Sequence, residues 1–408
     1  MRSRAKSDAL FVRSSKVIPG GIYGHLSPSA SLPRHFAHFC SKGEGVHFED
    51  VDGNDWLDFM CAYGAVLHGY NHPEIEEAVA IQRKLGTVFN HPHEVSVELA
   101  EKLTDLIDFA DWAVFAKNGS YLTTWAIRVA RERTQRPIVI KARGAYHGVD
   151  AWCYPGMGGR IESDRADIKE FDWNNLNELE DLFKKFKDQV AAVILTPYHH
   201  ASFAPSVLPD ENFWTSVRKL CNDNDSILVL DDVRAGWRIH EKGSHCFFGF
   251  EPDLAVYSKA LGNGYAISAC VGIDSLKSAA SDVFLTGSCW NDAVAMRAAL
   301  TSISIAERDG VVNSVCKKGK YLCDSIEAVA KKYCYNFKMT GPPSMPYPWF
   351  FEDDDLYKIQ EFCMFASNKG LFFHPHHNWF ISNAHDKNSL ESALTLVTET
   401  FHDMANGK

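Results

Sequence analysis

Lys259, in the stretch "VYSKALGNGY", places one amine between a β-branched apolar run and a small-residue turn. An amine so placed is either a solvated lysine closing a strand or a nucleophile that forms a Schiff base with a carbonyl. The second use needs burial or a cationic neighbour to lower its pKa. Three other stretches carry chemistry-bearing residues. In "ILVLDDVRAGWR", Asp231 follows an apolar run, so its carboxylate is expected nearly buried at a strand tip, where it needs a cation or hydrogen-bond donors. In "FAKNGSYLTTWAIRVAR", Gly119 and Ser120 open an amphipathic helix, and backbone amides at a helix N-terminus suit a phosphate. In "ARGAYHGVDAW", Tyr146 and His147 lie in a glycine-flanked loop, where an aromatic ring can stack on a planar group. Each has an ordinary structural reading: a helix cap, an ion pair, a half-buried tyrosine. Together, a phosphate cradle, an aromatic lid, a buried acid and a lysine meet the demands of pyridoxal 5′-phosphate. Its aldehyde needs an amine and its ring nitrogen needs a carboxylate.

The elements that must position these residues are legible as rhythm. "GVHFEDVDGNDWLDFM" alternates apolar and polar residues around Asp52-Gly53, a β-hairpin signal. Short apolar runs then alternate with helical patterns: "AVFAKNG", "RPIVIKA", "VAAVILTP", "DSILVLDD", "LAVYSKA" and "AISACVGI". Strands buried on both faces and separated by helices imply a mostly parallel sheet in an α/β domain, with ligands beyond the strands' carboxyl ends. From about residue 311 the pattern becomes α+β. The expected division is an N-terminal segment, 1–45, packing on the small domain, a large α/β domain, 46–310, and a small α+β domain, 311–408.

The chain has 408 residues, a formal net charge of -10 and a pI near 6.0, which leave no basic footprint for nucleic acid or an anionic membrane. Small molecules are the expected partners. Its eleven cysteines include no C-x-x-C pair and read as reduced thiols of a cytoplasmic protein rather than a zinc site or disulfide framework. No apolar run reaches the length of a membrane span, and the opening "MRSRAKSDALFVRSSKVIPGG" lacks the apolar core of a secretory signal. Asp8 counts against a transit peptide, and Leu10, Phe11 and Val17 read as one apolar helical face.

On these motifs the sequence resembles the class III pyridoxal-phosphate aminotransferases, within them the glutamate-1-semialdehyde 2,1-aminomutase-like branch. The resemblance runs nearly end to end: "RSSKVIPGGIYG", "VDGNDWLDF", "GYNHP", "KNGSYLTTWAIRVAR", "AYHG", "DDVRAGWR" and "SKALGNGY" all match. It implies fold type I, a mostly parallel seven-stranded sheet flanked by helices with a smaller α+β domain. It also implies pyridoxal 5′-phosphate, passing through pyridoxamine 5′-phosphate, bound to Lys259. Asp231 would pair with the ring nitrogen, Val233 would lie under the ring and Tyr146 over it. His147 would belong to the same cofactor site, and Gly119 and Ser120 would hold the phosphate. Ser288, in "FLTGSCWNDAVAM", would reach the phosphate of a neighbouring subunit, which implies a homodimer with shared active sites. Arg34, in "LPRHF", Tyr63 and Trp379 would line the substrate pocket.

Departures from the family pattern fall on the substrate side. Thr196, in "TPYHH", stands where the family has glutamate, Asp232 replaces another glutamate, and Asn263 and Tyr265 alter the glycine-rich tail after Lys259. His374, His376 and His377, in "HPHHNWFISNAH", read as pocket lining, not a metal site, because no carboxylate stands nearby in the sequence. The expected activity is amino-group transfer between a carboxylate-bearing amino compound and a keto or aldehyde acceptor. An intramolecular aminomutase is the alternative, and a decarboxylase, a racemase or a non-catalytic binding protein are further readings.

Overall fold

The computed structural model describes residues 2–24, 36–154, 156, 158–201 and 203–407. The chain forms two compact units, Met1–His72 with Ser314–Lys408, and Pro73–Asn313. In the first, strands β1 (Cys40–Glu44), β2 (His47–Asp50) and β3 (Asp55–Asp58) pair antiparallel in chain order. Gly53, at φ +86°, makes the turn anticipated between β2 and β3. The helix Ala5–Ser14 is tied to that turn, because Asp52 accepts from the amides of Lys6 and Ser7 at 2.8 and 2.9 Å. The expected Leu10–Phe11–Val17 face does not form: the helix buries Ser7 and Ser14, and Val17 lies past its end, 80% exposed.

The second unit holds β4 (Trp112–Ala116), β5 (Ile138–Ala142), β6 (Ile168–Phe171), β7 (Val190–Leu195), β8 (Ile227–Asp231), β9 (Leu254–Tyr257) and β10 (Ser268–Gly272). They form one seven-stranded sheet in the order β4-β10-β9-β8-β7-β5-β6, in which β10 runs antiparallel to both neighbours and the other pairings are parallel. Every residue of β5, β7, β8 and β9 is buried, which is why they read as unbroken apolar runs. The edge strand β6, "IKEF", is short and half polar, so it carries no such signal. The helix Gly119–Thr134 buries Leu122, Trp125, Ala126, Val129 and Ala130, at three- and four-residue spacing, against Val139, Ala192, Val229 and Val256 of the sheet. Each large side chain so buried contributes roughly 1.5–3 kcal/mol. Parallel pairing sets the ends of β7, β8 and β9 side by side, with Leu195 opposite Leu230 and Asp231 opposite Val256.

The first unit is completed by a hairpin of β11 (Phe337–Thr340) and β12 (Tyr347–Phe350), the helix Tyr357–Lys369, strand β13 (Leu371–Phe372) and the helix Lys387–Ala405. β13 pairs in parallel with β3, Leu371 opposite Leu57. That pairing joins the early hairpin to the C-terminal segment, so the boundary expected at residue 45 falls after His72. Phe362, Phe373, Trp379 and Phe401 fill this unit's core.

Candidate active site

Lys259 stands two residues past the end of β9 and opens the short 3-10 turn Lys259–Gly262. It adopts a left-handed conformation, φ +51°, and Asn263 closes the turn at φ +45°. Such non-glycine positions cost about 1–3 kcal/mol each and persist where surrounding contacts fix them. Here Ser258 Oγ donates to the Ile267 carbonyl at 2.8 Å, Ser302 Oγ to Ala260 at 3.1 Å, and Tyr265 Oη to Glu76 at 2.9 Å. Burial lowers the Lys259 pKa to about 7; the Arg234 guanidinium adds to the shift and Asp231 opposes it. An amine in that range is substantially neutral near pH 7 and nucleophilic.

Asp231 is the last residue of β8, buried as its position in "ILVLD" requires. Its Oδ2 lies 2.7 Å from His147 Nδ1, and its Oδ1 accepts from the Val233 amide at 3.2 Å. His147 is held on three sides. Thr123 Oγ1 donates to its carbonyl at 2.6 Å, its ring stacks on Trp152 with centroids 6.1 Å apart, and Trp152 Nε1 donates to Thr124 at 2.8 Å. Tyr146, 39% exposed, projects from the same loop within electrostatic reach of Asp231 and Arg234.

The helix that starts at Gly119 is capped by Asn118, whose side chain accepts from the Tyr121 amide at 2.9 Å. The amides of Gly119 and Ser120 have no intrahelical carbonyl to bond and remain for an anion. Ser120 Oγ accepts from the Val149 amide at 2.8 Å, which ties the helix start to the His147 loop. Gly119 is required sterically, because a Cβ there would lie 2.5 Å from Val233 Cγ2. Gly148 is required likewise: its φ is +139° and a Cβ would meet Ser120 Oγ at 2.3 Å. Gly119→Ala is therefore expected to cost about 1–3 kcal/mol of stability and to weaken cofactor binding about tenfold. Thermal melts and a cofactor titration check this, and a variant unchanged in both would show that Val233 yields freely.

The structure thus brings together Lys259, Asp231, His147, Tyr146, Val233, Gly119 and Ser120 at or near one end of the sheet. Ser288 lies on an exposed turn of the same unit, and its expected role needs a second chain. Arg34 lies outside the described residues. In the other unit, Tyr63 meets His377 edge to face, with centroids 5.1 Å apart. It belongs to a run of four left-handed residues, Cys61–Gly64, in which Asp58 accepts from the amides of Met60 and Cys61 at 2.6 and 3.0 Å. Trp379 does not line a pocket: it is fully buried, stacked on Phe373 at 3.8 Å, and its indole donates to the His374 carbonyl at 3.0 Å. An aromatic flanked by apolar residues fits core and pocket equally well in sequence, and here the core takes it.

Four residues went unassigned in the sequence. Arg234 lies deep beside Tyr198 and Asp231. Tyr198 is fully buried, and its carbonyl accepts from Thr196 Oγ1 at 2.8 Å. His200 is buried next to it. Asp232, pushed up to about 7 by burial, is held by Ser244 through Oγ at 2.6 Å and the amide at 2.8 Å. The signal for Arg234 and His200 was charge or imidazole directly after buried strands β8 and β7.

A half-buried lysine, a buried acid and a helix N-terminus stand at the strand ends of a mostly parallel sheet, an arrangement suited to a carbonyl and a phosphate. Comparison with known proteins agrees. Residues 29–386 match the family model described as aminotransferase class-III. The aminopentol aminotransferase of Sphingopyxis macrogoltabida is 37% identical over 98% of this chain and 95% of its own. The 3-aminobutyryl-CoA aminotransferase of Cloacimonas acidaminovorans is 34% identical over 98% and 97%. The structure of the internal aldimine form, with pyridoxal phosphate, of the FumI protein of Sphingopyxis sp. MTA144 superposes with a TM-score of 0.96 at 36% identity, covering 98% of each chain. The glutamate-1-semialdehyde 2,1-aminomutase of Francisella tularensis is more distant, at 26% over 99% of this chain and 100% of its own. The fold is that of the fold type I transaminases, and the chain belongs to the class III aminotransferase family. Enzymes of this family work with pyridoxal 5′-phosphate, and the half-buried lysine, the buried carboxylate and the open helix amides fit that group.

Proposed function

We propose that this enzyme transfers an amino group from a small amino compound to a separate keto or aldehyde acceptor through Lys259. The observation that carries the reading is Lys259, half-buried just past the end of β9, with its pKa lowered to about 7 and its amine within electrostatic reach of Asp231. Pyridoxal 5′-phosphate, when bound, supplies an aldehyde for amines and a ring that accepts electrons. Gly119 and Ser120 would hold its phosphate through their amides, and Val233 and Tyr146 would bound the two ring faces. Asp231 would pair with the ring nitrogen and keep a proton there, its carboxylate oriented by His147 Nδ1 at 2.7 Å. Lys259 Nζ would hold the group's aldehyde carbon, and as a neutral amine it would take and return the proton at the substrate's amine-bearing carbon.

An intermolecular reaction is favoured over the aminomutase alternative because the more similar relatives are named aminotransferases. The family resemblance gives Arg34 to the substrate's carboxylate and Tyr63 to the pocket lining. A homodimer with Ser288 completing the partner's phosphate site is supported by the exposed apolar side chains Ile81, Leu85 and Phe284 in the same unit. A reducing, cytoplasmic setting is supported by eleven free cysteines. Among the described residues no helix is long and apolar enough to cross a membrane. The test is a spectrum of the cofactor-loaded protein mixed with single amines and no acceptor. Conversion by an amine, reversed only by an added keto or aldehyde compound, is the expected result. Turnover of one substrate into its isomer with no acceptor would favour the aminomutase.

A further inference from the structure

His200 is a buried histidine that the mechanism above does not use. It is 7% exposed, and among the described residues neither ring nitrogen has a hydrogen-bond partner. A buried polar group left so costs about 1–3 kcal/mol unless water or a ligand satisfies it. Its neighbour His199 accounts for itself differently: its backbone forms a two-way bridge with Val207 at 2.8 Å and its ring stacks on Trp173. Successive residues face opposite ways along an extended chain, so His200 turns inward, its ring 5.3 Å from that of Tyr198. This segment leaves the end of β7 beside β8, whose last residue is Asp231. Burial, with Arg234, His199 and Lys259 acting on the ring, holds its pKa well below the usual histidine value against an opposing contact with its own backbone. The imidazole is therefore neutral. A neutral imidazole carries one N–H donor, which an oxygen acceptor can satisfy.

We infer that His200 is a specificity-determining residue of the Lys259 site, donating to an oxygen that the substrate carries beside its reacting amine. The inference rests on the aminotransferase reading and narrows its substrate class. The shared chemistry is an oxygen acceptor, which a carboxylate or a hydroxyl supplies equally. A site built to bond such an oxygen discriminates against the analogue that lacks it, because the buried donor is then left unpaired.

The experiment uses the cofactor-loaded full chain and three probes: 3-aminobutyrate, 1-amino-2-propanol and 2-aminobutane, which has no oxygen. The rate of conversion of the cofactor's absorption band is followed for native protein, His200→Ala and His200→Gln, the last retaining a donor. A calorimetric titration with unreactive 3-hydroxybutyrate reads binding apart from turnover. Native protein should favour at least one oxygen-bearing amine over 2-aminobutane by tenfold or more, and which one identifies the source of the oxygen. His200→Ala should erase that preference and weaken 3-hydroxybutyrate binding, and His200→Gln should restore part of both. A native protein with no preference, or a preference that survives His200→Ala, overturns the inference. A native protein that forms no lysine-bound cofactor band overturns the aminotransferase reading itself, and the inference with it.

Discussion

Replacing Lys259 with Ala is expected to lower turnover by at least about 10⁴-fold, since on the proposed reading it removes both the covalent anchor and the proton carrier. That factor corresponds to about 5.5 kcal/mol of lost transition-state stabilisation. The fold should survive, and the reason is electrostatic. In the cofactor-free protein the lysine's pKa is lowered to about 7 by burial and by Arg234. An unfolded lysine titrates near 10.4, so between these values the unfolded chain binds the extra proton and stability rises with pH. The penalty for burying this ammonium is fully present below pH 7 and gone above about 10.4. Cofactor-free Lys259→Ala should thus be the more stable protein at pH 6, and the difference should close as pH rises toward 10. Denaturant unfolding across that range, beside a turnover assay, measures both effects. Turnover within tenfold of native would remove Lys259 from the chemistry, and a pH-independent stability difference would show that its amine is solvated. Acylation of the cofactor-free protein by an amine-selective reagent should give the same value, with Lys259 half reactive near pH 7.

The parts of this site that were legible in the sequence are those where one residue type breaks an apolar run. Asp231 after "ILVL" and Lys259 after "LAVYS" stand out because nothing polar belongs at a parallel strand's tip unless the site beyond it needs it. Gly119 was legible as a turn residue, but its necessity was not, since that depends on Val233 lying against it. The His147–Asp231 contact spans 84 residues and follows from neither motif alone. Arg234 and His200 escaped for a related reason: the direction in which a residue past a strand end points is fixed by how the following loop folds back. The left-handed run at Cys61–Gly64 was equally hidden, because "CAY" has none of the asparagine or glycine that usually marks positive φ. Tertiary contacts impose it, with Asp58 binding the amides at its start and Phe380 packed where a Cβ on Gly64 would fall. Trp379 shows the reverse error, in which a residue of the right type near a pocket motif is claimed by the core.

Asp231→Asn carries the second large effect. Asparagine keeps the volume and can still accept from the Val233 amide, so the strand tip should hold its shape while the negative charge is lost. Removing a preorganised charge aimed at the reacting group costs on the order of 10²–10³ in turnover. Cofactor affinity should fall far less, because on the proposed reading Gly119, Ser120 and Lys259 would still hold the group. His147 acts through Asp231, since its Nδ1 meets the carboxylate at 2.7 Å and its Nε2 bonds no described residue. His147→Asn should accordingly cost less, about tenfold, and the two losses should not multiply. In the double variant, turnover should match Asp231→Asn alone, because an orienting histidine has nothing to orient once the charge is gone. Steady-state rates for the two single variants and the double, with cofactor occupancy read from the absorption band, decide the matter. Losses that multiply would mean that His147 contacts the cofactor or the substrate itself. A loss under tenfold for Asp231→Asn would mean that another group supports the ring nitrogen, and Asp232, buried beside it with its proton affinity raised, would be the next residue to replace.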